Sequence, residues 1–365
     1  MTNRDGIASA NLLVQAAATP QDELAAGASG HPESIPPCAW LAQVSERANL
    51  QRALKRVRRN KGAPGIDGMT VDELPEYLRH HWPEIRAQLE TGQYRPRPVK
   101  RVEIPKADGK TRPLGIPTVL DRFIQQAIAQ VISAHWEPRF HPHSYGFRPG
   151  RSAHQAVRQV QASIREGYGW VVDMDLQSFF DRVNHDRLLA RLKSRSPDAA
   201  LLRLVKRFLK AGVSVDGKIE ATPMGVPQGG PLSPVLANVV LDELDWELDR
   251  RGHRFARYAD DCNILVKSKR AGERVMASVT RFVSDSLRLT VNPLKSAVDR
   301  PWKRKFLGFT VSRTDKKLKV ADKALDKLKD RVRELTRRTR GTTMGVIAAE
   351  LRETLLGWKA YFGIA

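Results

Sequence analysis

The sequence predicts a mixed α+β body followed by an all-helical tail, on three observations. Short apolar segments bounded by Gly, Pro, Asn and Asp alternate with helical periodicity as far as about residue 312. From Ala321 the pattern becomes a basic amphipathic helix, with Leu325, Leu328, Val332 and Leu335 on one face, read as core packing. No segment repeats another, which argues against solenoid and propeller architectures.

Residues 1–44 are rich in Ala, Pro, Ser and Gly with weak periodicity, and read as a disordered extension. Order is expected from Ser45, an N-cap candidate, with Leu50, Leu54 and Val57 at helical spacing up to Asn60-Lys61-Gly62. Thr70 and Glu73 form a capping-box pattern for a second helix running towards Gly92. A strand over Val99 to Ile104, a turn at Asp108-Gly109 and a return through Thr111 to Ile116 follow. Helices are expected from Thr118 to Trp136 and from Ser152 to Arg165, then a strand from Trp170 towards Asp175. Beyond a helix over Ala199 to Lys210, Asp216-Gly217 marks a hairpin. The Gly/Pro loop Gly225 to Pro234 launches a helix through Val235, Val239 and Leu244. Two strands flank Ala259-Asp260, and Phe306 to Val311 reads as another. Residues 45–312 thus form the body and 313–365 the tail.

Of the 365 residues 41% are hydrophobic, enough for one large or two ordinary cores. Lys and Arg total 62 against 40 acids, a formal charge of +22, which favours a polyanionic partner over mere solubility. Cys38 and Cys262 are the only cysteines, which excludes a disulfide framework and a Cys-based zinc site. With no secretory pattern and no apolar run approaching the ~18 residues of a membrane span, the expectation is a cytoplasmic protein with no membrane partner.

The chemistry-bearing residues are acidic. Asp260 and Asp261 sit between the apolar strands Phe255-Ala256-Arg257 and Asn263-Ile264-Leu265-Val266. An ordinary hairpin turn also accepts Asp. Asp175 at the end of another apolar strand changes the balance. If the two segments pair in one sheet, three carboxylates converge at one edge, where like charges repel unless cations lie between them. Hard divalent ions with oxygen ligands suit such a site, Mg2+ first, with Mn2+ as a substitute. Two such ions about 4 Å apart support in-line phosphoryl transfer. Asp173, two residues before Asp175, shares its strand face and is expected to support rather than ligate.

From about Asn60 onward the chain resembles the reverse transcriptases of bacterial group II introns, the intron maturases. The blocks follow in that family's order. Asn60-Lys61-Gly62-Ala63-Pro64-Gly65-Ile66-Asp67-Gly68 is similar to the lid block. Ile104-Pro105-Lys106 with Arg112-Pro113-Leu114-Gly115-Ile116-Pro117 resembles the fingers block, and Ser144-Tyr145-Gly146-Phe147-Arg148-Pro149-Gly150 the next. Asp175-Leu176-Gln177-Ser178-Phe179-Phe180-Asp181, Gly225 to Pro234 and Tyr258-Ala259-Asp260-Asp261 resemble the two catalytic blocks and the loop between them. Leu289 to Lys295 and Phe306-Leu307-Gly308-Phe309 complete the palm series, and Leu355 to Phe362 is similar to a thumb segment.

The resemblance implies a right-hand polymerase, with fingers and an antiparallel palm sheet over 45–312 and a partial helical thumb over 313–365. It implies Asp175, Asp260 and Asp261 as ligands of two metal ions. Lys295 would be a general acid for pyrophosphate, although a surface lysine is an equal reading of the residue alone. Lys106 and Arg112 would clamp the triphosphate, Phe180 would exclude a 2′-hydroxyl, and Gln228 would line the nucleotide site. Surface charge and a core aromatic are the plainer readings of the first three. Lys61, Arg148, Gly229 and Tyr258 would contact template or primer.

Implied partners are an RNA template, a DNA or RNA primer, dNTPs and group II intron RNA, with a homodimer left open. The implied function is RNA-directed DNA synthesis with a role in intron splicing and mobility. Two alternatives are a related polymerase serving the host in repair, defence or CRISPR adaptation, and an RNA-binding maturase without polymerase activity. The complete set of carboxylates disfavours the last. After Arg300 there is neither Cys nor His, so a zinc-bound endonuclease is not expected.

Overall fold

A computed structural model describes residues 40–105, 111–195 and 198–365. Residues 1–39 of the expected extension, Lys106, the Asp108-Gly109 turn and the Arg112 side chain lie outside the described set. Order begins before Ser45: α1 (Trp40–Ser45) buries Trp40, Leu41 and Val44, and Ser45 closes that helix instead of capping the next. Leu41 N–H donates to Asp198 Oδ2 at 2.8 Å, which ties this short helix to the body. Then come α2 (Arg47–Arg59) and α3 (Leu74–Glu90). The capping-box pair is half realised, since Glu73 accepts from the Thr70 N–H and hydroxyl, each at 2.7 Å, and the helix starts one turn later.

The fingers are built on β1 (Val99–Pro105) and β2 (Thr111–Ile116), an antiparallel pair in register Ile104↔Arg112. Next is α4 (Val119–Trp136), whose N-cap Thr118 accepts from Asp121 N–H. This helix is buried on nearly every face, which explains its continuous run of apolar and amide residues. The helix α5 (Ala153–Arg165) opens on a full capping box between Ser152 and Gln155.

The palm begins with β3 (Trp170–Met174), followed by α6 (Phe179–Arg182), α7 (His185–Lys193) and α8 (Ala199–Leu209). The hairpin β4 (Val213–Val215) and β5 (Lys218–Glu220) turns at Asp216 and Gly217, both with positive φ, as its Asp-Gly pair predicts. It joins the fingers sheet, ordered β2-β1-β4-β5, with β4 parallel to β1. After α9 (Ser233–Arg250) come β6 (Arg254–Tyr258), β7 (Asp261–Val266), α10 (Lys269–Asp285) and β8 (Ala297–Asp299). These complete an antiparallel palm sheet in the order β6-β7-β3-β8.

Both faces of that sheet are covered, so its strands read as nearly continuous apolar runs. Val172, Met174, Ile264 and Val266 face the main core with Val279 and Val283 of α10. Val171, Ala256 and Leu265 face a second cluster with Val157, Val160 and Ile164 of α5. The expected strand over 306–311 is shorter. Leu307 and Gly308 turn at positive φ, Phe306 bridges back only to Phe309, and β9 (Phe309–Val311) pairs with β10 (Leu318–Val320).

The tail is α11 (Asp322–Leu335) and α12 (Met344–Phe362). Only Leu335 of the Leu325/Leu328/Val332/Leu335 stripe is fully buried, and α12 buries none of its residues, so core packing accounts for only part of that stripe. The tail docks through its end: Tyr361 and Phe362 pack on Phe309, and the Tyr361 hydroxyl donates to Leu307 O at 3.0 Å. Among the described residues no helix is long and apolar enough to cross a membrane.

Candidate active site

The pleat of the palm sheet assembles the acids. Met174 pairs with Cys262, so the next residues outward, Asp175 and Asp261, oppose each other across β3 and β7. Asp173 and Asn263, one pair inward, share their face. Asp260 occupies the two-residue connection between β6 and β7, beside Ala259 at φ +56. All three predicted carboxylates therefore lie at one sheet end.

Lys295 arrives from the loop before β8. Its Nζ is 3.6 Å from Asp175 Oδ2, while most of its side chain stays open to solvent. Asp175 is held through its backbone: its N–H donates to Ser296 Oγ at 3.0 Å, and its carbonyl accepts from Asn292 N–H at 2.8 Å. Asp173 is taken up by neighbouring side chains. Its Oδ2 accepts from Arg304 Nε and Nη2 at 2.8 and 2.6 Å, and Asn263 donates to Oδ1 at 3.0 Å. Arg304 Nη2 also donates to Lys295 O at 2.7 Å, linking the lysine loop to the strand that carries Asp175.

The electrostatics are those of crowded carboxylates. The protein surround and then Asp260, Asp173 and Asp175 push the Asp261 carboxyl up to about 7, with Lys295 opposing them. Asp261 keeps an exposed side, so a bound cation could reach it and reverse that effect. Among the described residues no three His, Cys, Asp or Glu stand closely enough to cage an ion as placed. The donor set, all hard carboxylate oxygens raised in energy by one another, still fits a divalent ion.

The remaining predicted residues divide. Phe180 is half-buried, packs edge-on to Phe179 at 5.1 Å between ring centroids, and sits five residues past Asp175. Gln228 Nε2 approaches Asp181 Oδ1 at 3.5 Å. Gly229 has φ +120, and a Cβ there would stand 2.4 Å from Gly115 O. Its freedom thus lets the loop back onto β2, where Gly115 N–H donates to Gln228 O at 2.7 Å. Lys61 is exposed, and Tyr258 is half-buried against the second cluster.

Arg148 departs from the expected contact with template or primer. Its guanidinium is buried and saturated by both Glu137 oxygens and by the carbonyls of His141 and Ser144, each of these at 2.7 Å. It holds its own loop. Sequence shows a charge in a glycine- and proline-rich block but not where the side chain points.

That loop has a second task. Tyr145 N–H donates to Arg257 O, Arg257 N–H donates to His143 O, and Ser144 bridges Arg257 in parallel. The segment lies directly beneath the Tyr258-Ala259-Asp260-Asp261 turn. A Cβ on Gly146 would stand 2.4 Å from Ala259 N, a backbone atom that cannot step aside. Gly146→Ala should therefore displace the turn, and a shift of about 1 Å costs about 10²-fold in turnover. Turnover of a folded Gly146→Ala chain checks this, and a rate equal to wild type would contradict it.

Arg257 enters the sequence reading only as part of a flanking strand. It is wholly buried against Asp245 of α9, a pair whose breaking costs about 3–5 kcal/mol. The available signal was a lone Arg inside a buried strand, with Asn238 and Asp245 seven residues apart on one helix face.

This fold and this acidic sheet end define a nucleotide-polymerising palm. Residues 104–311, more than half of the chain, match the family described as reverse transcriptase (RNA-dependent DNA polymerase), and residues 325–365 match the group II intron maturase-specific domain. The chain belongs to the reverse transcriptases of group II intron type, which are RNA-directed DNA polymerases. It is 34% identical to protein YkfC of Escherichia coli (strain K12) over 298 residues, covering 71% of this chain and 78% of that one. It is 37% identical over 194 residues to the group II intron-encoded protein LtrA of Lactococcus lactis subsp. cremoris, covering 53% of this chain but only 32% of LtrA. A telomerase structure from Candida tropicalis, in complex with a fragment of telomeric RNA, matches with a TM-score of 0.50 at 13% identity. That match covers 76% of this chain and 57% of the telomerase, and it bears on the fold alone.

Proposed function

We propose that this chain copies RNA into DNA at the β3/β7 end of the palm, with Asp175, Asp260 and Asp261 holding two Mg2+ ions, or Mn2+ in their place. The single observation that carries this reading is the pairing that sets Asp175 against Asp261 with the Asp260 turn beside them. Ions bound there would lower the barrier to in-line attack and neutralise the leaving pyrophosphate.

The protein's own groups do the rest. Phe180 lies beneath the sugar of the incoming nucleotide and blocks a 2′-hydroxyl. The family resemblance assigns Lys106 and Arg112 to its triphosphate, a role suited to cations with forked or point-charge donors. Lys295, already beside Asp175, delivers a proton to pyrophosphate. Gln228 and Gly229 line the nucleotide side, and Lys61 and Tyr258 the template–primer side. Residues 45–312 serve as fingers and palm and 313–365 as part of the thumb. The basic tail and the maturase-domain match support group II intron RNA as the ligand, with splicing and mobility as its outcome. The intact carboxylate set speaks against a maturase without polymerase activity. Extension of oligo-dT on poly-rA with dNTPs and Mg2+ tests the reading. No incorporation by a folded chain would overturn it.

The acids also set a pH dependence for the ion-free protein. Asp261 ordinarily titrates near 3.8 and is raised to about 7, so the folded chain keeps a proton that the unfolded chain loses between those values. Its contribution to stability therefore falls as pH rises from 3.8 to about 7 and stays low above that. Mg2+ should raise the melting temperature more at pH 8 than at pH 6, and Asp261→Asn should remove the difference. An equal Mg2+ shift at both pH values would contradict this.

A further inference from the structure

We infer that Arg257, locked by Asp245, is a positioning residue that sets the peptide carrying Asp260. The inference rests on the reading that Asp260 and Asp261 hold ions. By strand alternation Arg257 lies on the opposite sheet face from Tyr258 and Asp261, so it cannot touch nucleotide or ion directly. It is wholly buried, as is Asp245.

Every guanidinium N–H is used. Nε and Nη2 donate to the two Asp245 oxygens at 2.6 and 2.5 Å. That two-pronged contact fixes the plane of the group. Nη2 also donates to the Ser144 hydroxyl at 2.7 Å, and Nη1 to Asn238 Oδ1 at 3.1 Å. Asn238 in turn donates to Gly146 O at 2.8 Å. The helix α9, the 143–146 segment and the turn thus meet on one side chain.

The last bond gives this cluster a purpose beyond cohesion. Arg257 Nη1 donates to Ala259 O at 2.8 Å. Ala259 is a non-glycine residue at φ +56, a conformation that persists only where its surroundings over-determine it. Its carbonyl belongs to the same planar peptide unit as the Asp260 nitrogen. Holding that oxygen therefore fixes the direction in which Asp260 leaves the turn. A buried ion pair serving stability alone could be exchanged for apolar side chains of similar volume without harm. This one could not, because no apolar side chain donates to Ala259 O.

The test uses the full chain with two variants, Arg257→Met/Asp245→Leu and Arg257→Lys, read by melting temperature, affinity for poly-rA/oligo-dT, turnover and Mg2+ titration. Both variants should melt as cooperative folded proteins and keep template–primer affinity. The double variant should lose about 10²-fold in turnover, as misplacement by about 1 Å does. Its half-saturating Mg2+ should rise about tenfold, the usual cost of removing a residue that orients a metal ligand. Arg257→Lys keeps the buried charge but not the fork, and should move in the same direction by a smaller factor. If either folded variant shows wild-type turnover and Mg2+ requirement while Asp261→Asn is inactive, the positioning role is wrong. Full activity in Asp261→Asn would instead overturn the underlying site reading.

Discussion

Asp175→Asn should abolish nucleotide incorporation while leaving the fold and template–primer binding intact. Asp175 opposes Asp261 across paired strands, and its side chain is only partly exposed. Replacing one carboxylate oxygen by an amide removes a full charge from the set that would hold the ions. Stabilisation of several kcal/mol by a bound ion corresponds to about 10³-fold or more in rate. Stability should not fall, because the acids around Asp175 repel one another and the amide relieves that repulsion. Asp175 also keeps its backbone bonds to Ser296 and Asn292 whatever side chain it bears. Single-nucleotide incorporation, with binding measured on the same preparation, separates the two effects. A folded variant within tenfold of wild type would remove Asp175 from the catalytic set.

Phe180→Val should let ribonucleotides in. Phe180 packs edge-on against Phe179, its backbone carbonyl accepts from Val226 N–H at 2.6 Å, and its side chain stays partly exposed. The Phe179 contact limits how far the ring can turn. Shortening it should raise the ratio of kcat/KM for rNTP over dNTP by about 10²-fold, the scale on which pocket shape discriminates. Valine is chosen because it shortens the side chain while keeping an apolar contact with the core. Incorporation of dNTP should change far less. An unchanged ratio would assign Phe180 to the core alone.

Much of the fold was legible because its signals are local. Thr118 and Ser152 cap their helices, and Asp216-Gly217 turns its hairpin, since each residue acts on its own backbone. The carboxylate site was legible for a different reason: strand ends and an acidic turn need only pair correctly to converge.

What escaped depends on distant partners. Trp40 and Leu41 are ordered by packing and by Asp198, which lies 157 positions on from Leu41. The helix α10 went unread although Val275, Val279 and Val283 keep helical spacing, because its first turns are dominated by Lys269, Arg270, Glu273 and Arg274. Arg148 and Arg257 were opaque for the same cause. Only the fold reveals that one is spent on Glu137 and the other on Asp245. The apolar stripe of α11 read as core, yet most of it is only half-covered.

The central claim is that the β3/β7 acids catalyse DNA synthesis directed by RNA. The most direct measurement is Mg2+-dependent extension of oligo-dT on poly-rA with dTTP, comparing wild type with Asp260→Ala at equal template–primer occupancy. The account predicts extension by wild type that is lost on chelation of the metal and lost in Asp260→Ala. Extension by Asp260→Ala at the wild-type rate would contradict it.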